Sequence, residues 1–146
     1  MKNYFYIIEI KDPIVRCLVN AMRVLADPNT SDESHITLRG PQKRAIDLKR
    51  LNSRAPNIQV SVIGAGNFFK DTQNTVFFRC GFPLMDEVWF KPDFPGRNAH
   101  TIIYDSENYD LAYQMFHIIN KYNIYFNFHA TEIKEYVDYY NQLDLF

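Results

Sequence analysis

A chain of 146 residues that is 47% apolar and 23% charged is long enough to bury one core and too apolar to stay disordered. A net charge of −1 withholds the basic face that binding to long duplex nucleic acid requires. No apolar run reaches the roughly 20 residues of a membrane span, and the opening MKNYFYIIEIKDP is too short and too charged for a secretory leader. Cys17 and Cys80 form no CxxC pair, so buried structural thiols in a reducing, cytoplasmic setting are expected. No linker or low-complexity tract divides the chain, and a single domain over 1–146 is expected.

Taken in order, Tyr4–Ile10 is rich in β-formers and reads as a strand. Asp12-Pro13 supplies an N-cap and a first-turn proline. Ile14, Leu18, Met22 and Leu25, with Val15 and Val19, then make an apolar stripe at helical spacing. Asp27-Pro28 closes this helix. HITLRG is a short strand stopped by Gly40-Pro41, and 42–52 reads as a weak helix carrying a basic run. That run, Arg39 to Arg54, holds six bases against Asp47; a solvated face explains it, and a small phosphate ligand is compatible with it.

Ile58–Ile63 and Thr75–Cys80 read as strands joined through GAGNFFKDTQN. Val88–Phe90 and Thr101–Tyr104 are further strands, separated by the loop KPDFPGRN. Asn108–Tyr122 is an amphipathic helix with Leu111, Met115, Phe116, Ile118 and Ile119 as its apolar set. Ile124–Phe128 is a strand, and Ile133, Tyr136, Val137 and Tyr140 mark a short closing helix at i, i+3, i+4, i+7 spacing. The order gives an α+β fold with an approximate duplication: each half pairs one histidine-bearing strand with one main helix.

Several chemistries lack their residues. The G-x-G at Gly64 and Gly66 has Phe69 where a dinucleotide fold needs its third glycine, and a hairpin connection fits better. His35, His100, His117 and His129 show no metal-ligand spacing, so no metal and no cofactor are expected. His117 and His129 default to structural or surface roles, and no G-x-S-x-G elbow supports a serine hydrolase.

Two histidines remain, each opening a β-branched stretch: SHITLRGP at 34–41 and NAHTIIYD at 98–105. They stand 65 residues apart, close to half the chain. Alternation puts His35, Thr37 and Arg39 on one face of their strand, with Ile36 and Leu38 on the other. An imidazole, a hydroxyl and a guanidinium on one strip match a phosphodiester. On the second strip His100, Ile102 and Tyr104 share a face. Cleaving a phosphodiester needs one group to take a proton and another to give one, and two histidines supply that pair.

SHITLRGP resembles the H-x-T motif of the two-histidine (2H) phosphoesterases, a superfamily that includes LigT-like RNA 2′,3′-cyclic phosphodiesterases. NAHTIIYD, followed by a helix, resembles its second motif, and the likeness spans most of the chain. The resemblance implies a bilobal, pseudo-two-fold fold: two antiparallel-rich sheets around a cleft, helices outside and both histidines at the cleft floor. It implies metal-independent phosphodiesterase chemistry with His35, Thr37 and His100 catalytic. Arg39 and Tyr104 would bind substrate. One departure stands out: Ile102 occupies the place where the superfamily has a hydroxyl, and Tyr104 is the candidate to replace it.

The reading is a phosphodiesterase acting on a small nucleotide, a cyclic oligonucleotide or an RNA end, with Phe68, Phe69 or Trp89 available to stack on a base. The alternatives are a catalytically silent nucleotide-binding module on the same fold, and an interaction protein using its acidic C-terminal segment. Substrate identity, the acid and base roles of the two histidines, and oligomeric state stay open.

Overall fold

The computed structural model describes residues 2–30, 34–54, 58–70, 72–83, 99–130 and 132–139. Among the described residues, seven strands and three helices follow one another along the chain. They are β1 (Lys2–Glu9), α1 (Pro13–Ala26), β2 (His35–Gln42), α2 (Leu48–Arg54), β3 (Ile58–Phe69), β4 (Asn74–Gly81), β5 (His100–Ser106), α3 (Tyr109–Lys121), β6 (Tyr125–Ala130) and β7 (Lys134–Tyr139). The strands form one sheet in the order β6-β3-β4-β5-β2-β1-β7, and every neighbouring pair is antiparallel. The α+β class stands. The two expected sheets are halves of this one, meeting edge to edge at β5 and β2.

Alternation builds the two faces. Tyr6, Ile8, Ile36, Leu38, Val60, Val62, Val76, Phe78 and Ile103 are buried on one face, where Val19 of α1 and Ala112 and Ile119 of α3 cover them. The opposite face carries Ile7, His35, Thr37, Phe77, His100 and Ile102, all half-buried. The helix ends follow their sequence signals. Asp12 accepts from the amides of Ile14 and Val15, and Asn108 accepts from that of Leu111. Past α3, Asn123 takes a φ of 50°, the left-handed position an asparagine tolerates after a helix.

Several expectations are corrected. The segment with Tyr136 and Val137 is no helix but the edge strand β7, laid against β1 from Lys2↔Tyr139 to Ile7↔Lys134. GAGNFF is not a connection but part of β3, which runs on to Phe69. Gly64, at φ 101°, lies where the register shifts between Val62 and Ala65, so it makes a bulge. β2 passes through Gly40-Pro41 to Gln42, because a register shift there leaves Pro41 outside the ladder. The basic helix shortens accordingly to α2. In α1 the face turned to the sheet carries Val15, Val19 and Met22. Ile14, Leu18 and Leu25 point outward, 72%, 59% and 83% exposed. Cys17 is exposed and only Cys80 is buried, its thiol pushed up to about 12 by burial. The Val88–Phe90 strand, the loop after it and Trp89 lie outside the described residues. No helix among the described residues is long and apolar enough to cross a membrane.

Tyr6 is fully buried, and its hydroxyl closes the N-terminal half. It accepts from the Ile46 amide at 2.8 Å and donates to Glu135 Oε2 at 2.9 Å, tying β1 to the segment before α2 and to β7. Tyr6→Phe leaves the half-buried Ile46 amide and the Glu135 carboxylate short of a partner, so the unfolding free energy should drop by about 1–3 kcal/mol in urea denaturation.

Candidate functional site

Among the described residues the two histidine strands meet at one registered pair, Thr37↔His100. Directly opposed residues share a face, and so do residues two apart on one strand. His35 and Thr37 of β2 and His100 and Ile102 of β5 therefore all face the open side, an array in which Thr37 stands directly beside His100. In a ladder that ran on regularly past this pair, His35 and His100 would occupy one diagonal, roughly 7–8 Å apart, and Thr37 and Ile102 the other.

Helix α1 braces this junction from behind. Arg23 Nη1 donates to the carbonyl of Ile102 at 2.6 Å, and Asn20 Oδ1 accepts from the Ser34 amide at 2.9 Å, next to His35. One helix thus holds Ile102 within β5 and the residue just before β2. Charge assistance makes the arginine bond the stronger of the two.

The face expected for Tyr104 is overturned by a bulge. Phe77 pairs with Ile102, whereas Val76 pairs with Tyr104: β5 advances two residues while β4 advances one. The extra residue sends both Ile103 and Tyr104 to the buried face. Tyr104 is 5% exposed, and its hydroxyl accepts from the Asn108 amide at 2.9 Å, at the start of α3. It is an anchor for the helix and does not stand with His100. Asp105, the next residue, takes the open face in its stead, opposite Thr75. Thr101 remains on the buried face at 2% exposed.

Between Thr37 and Arg39 the ladder to β1 shifts register. The Arg39 side chain lies outside the described part of the structure. A guanidinium that sequence reading missed stands instead on β4: Arg79 pairs with His100 and is exposed on the open face. Only the strand register could have revealed it. On the other flank Glu9 pairs with His35 and is held by Lys134 at 3.2 Å, a bond that pushes the lysine amine above its ordinary range.

Two hollows open beside the array. One of about 520 Å³ lies against His35, between Glu9, Lys11, Arg16 and Tyr136. The other, about 280 Å³, is lined by His100, Ile102, Phe68, Phe77, Thr75 and Asp105. Its floor is a run of rings: Phe68 to Phe77 at 5.1 Å and Phe77 to His100 at 5.2 Å between centroids. Gly66 makes room for this run. A Cβ at position 66 would sit 2.4 Å from Phe77 Cε2. Phe69, by contrast, packs on Tyr109 and Phe116 on the helix side. His117 and His129 are exposed, His117 lying against Tyr113 on α3. Among the described residues, no three His, Cys, Asp or Glu side chains come close enough to hold a metal ion.

No protein-family model matches the chain, and no curated protein matches it. Among solved structures, that of Kluyveromyces marxianus Usb1 with uridine monophosphate is similar, at 12% identity and a TM-score of 0.46, over 92% of this chain and 93% of that one.

Two outcomes follow from this geometry. Tyr104→Phe should lower the unfolding free energy by about 1–2 kcal/mol by orphaning the Asn108 amide, without altering phosphate affinity in a titration with inorganic phosphate. Gly66→Ala should push the Phe77 ring off its seat, and the His100 ring protons should then shift in NMR spectra as the neighbouring ring moves.

Proposed function

We propose that this chain is a phosphodiesterase of the two-histidine type, acting without a metal ion on a small nucleotide or an RNA end. A 2′,3′-cyclic phosphate, a 2′–5′ linkage or a cyclic oligonucleotide would each fit. The supporting observation is the Thr37↔His100 pair, since it sets one imidazole beside a hydroxyl on the open face that His35 also shares.

A phosphate over the centre of the array would have an imidazole on each side. One imidazole takes the proton from the attacking hydroxyl as its oxygen bonds phosphorus. The other gives a proton to the departing oxygen as the second phosphorus–oxygen bond breaks. Thr37 donates to a non-bridging oxygen, and Arg79 offsets the charge that develops there. Arg39 retains its expected part as a second cation. Arg23 acts at one remove, by holding β5 against β2.

A second reading has its own observation. Ile102 brings no donor to the second diagonal of the array, which suits a module that binds nucleotides and turns them over slowly or not at all. Turnover of a 2′,3′-cyclic mononucleotide in excess EDTA separates the two; saturable binding with no product would select the silent module. For the enzyme, His35→Ala and His100→Ala should each lower the rate by about 10²–10⁴ with the fold retained by circular dichroism. Ile102→Thr should raise it around tenfold, the yield of one added hydrogen bond to a charged group. Rates unchanged in both alanine variants would remove the histidines from the chemistry.

A further inference from the structure

We propose that the hollow beside His100 reads a guanine base, with Asp105 as the residue that determines specificity. The inference rests on the phosphodiesterase reading and names the nucleoside which that site prefers.

The distances suit a nucleotide. Along β4, Arg79, Phe77 and Thr75 stand opposite His100, Ile102 and Asp105 in turn. A phosphate centred between the His100 and Ile102 levels lies three β4 residues from the Asp105 level, roughly 10 Å at about 3.4 Å per strand residue. That is the reach of a nucleotide from its phosphorus to the far edge of its base. The floor along this path is aromatic, and Phe68 keeps 44% of its surface exposed at the end of the run. Exposed rings beside a phosphate site are what an unstacked base lies on.

At the far end of the hollow stands a carboxylate already fixed in orientation. Asp105 Oδ1 accepts from Gln73 Nε2 and from Thr75 Oγ1, both at 2.8 Å. A carboxylate offers about four lone-pair positions, so Oδ2 retains its own for a ligand. Lys70 also lines the hollow and adds a cation. Together the rim asks for a base that donates twice and accepts once along one edge. Guanine does so, with N1–H and N2–H toward Asp105 and O6 toward Lys70. Uracil puts a carbonyl on each side of its single N–H and would face the carboxylate with an acceptor. Adenine and cytosine each offer one amino group beside a bare ring nitrogen. Selectivity for guanine should therefore be about tenfold or more, as for other two-point base contacts.

Calorimetric titration of the intact chain with 3′-monophosphates of guanosine, inosine and uridine tests this without relying on turnover. Guanosine should bind at least about tenfold tighter than uridine, with inosine, which lacks the 2-amino group, in between. Asp105→Asn should erase most of the preference while inorganic phosphate affinity stays as in the parent. Phe68→Ala should weaken all three nucleotides alike. The inosine comparison stands on the unmodified protein, so it decides the matter even if Asp105→Asn fails to fold. Equal binding of all three nucleotides, with turnover still dependent on His35 and His100, would overturn the guanine pocket alone. No binding of any nucleotide together with no turnover would overturn the phosphodiesterase reading as well.

Discussion

Everything proposed for this protein hangs on how β2 is joined to β5. Among the described residues the ladder between them has a single registered pair, Thr37↔His100, whereas β3 and β4 or β1 and β7 share six or more. Beyond that pair, α1 holds the junction from the buried side. Arg23 takes the Ile102 carbonyl, and Asn20 takes the Ser34 amide. A hydrogen bond from a charged donor contributes about 1.5–3 kcal/mol net, which is large against the marginal stability of a domain. The array of histidines is thus no local motif. It exists only when the two halves of the chain are folded and stapled by one helix.

Departures from regular pleating then decide what the open face carries. The Gly64 bulge in β3 sets the following residues so that Gly66 lies opposite Phe77, and the missing side chain at 66 admits the Phe77 ring. Phe77 in turn lies against His100. The β5 bulge withdraws a tyrosine and presents an aspartate. Each is a single-residue irregularity, and each re-aims side chains within reach of the histidines, as bulges near functional sites often do.

The sequence made the strands β1, β3, β4, β5 and β6 and the two long helices legible, because their alternation, helical spacing and caps agree with one another. It also led to His35, Thr37 and His100 as residues of one face. It misled where two patterns coexist. In α1 the series Ile14, Leu18, Leu25 and the series Val15, Val19, Met22 have helical spacing one residue apart, and periodicity cannot choose which turns inward. In β7, Tyr136 and Val137 fit a helical period, but the open edge of β1 pairs them as a strand. Counting in twos places Tyr104 beside His100, a rule that holds only until the first bulge. Arg79 carried no local signal, since its nearness to His100 depends on the register between strands.

The β5 bulge has a bearing on heredity as well as on shape. Positions 103 and 104 are two residues aimed at the same buried side, so one of them is surplus to the pleat. A codon lost there would leave a straight strand with His100, Ile102 and Asp105 still on their common face. The same loss at 101 would set His100 and Ile102 on opposite faces and break up the array. In a strand where almost any change of length is ruinous, this one spot can gain or shed a residue, and the extra residue there brings the hydroxyl that receives the Asn108 amide at the start of α3.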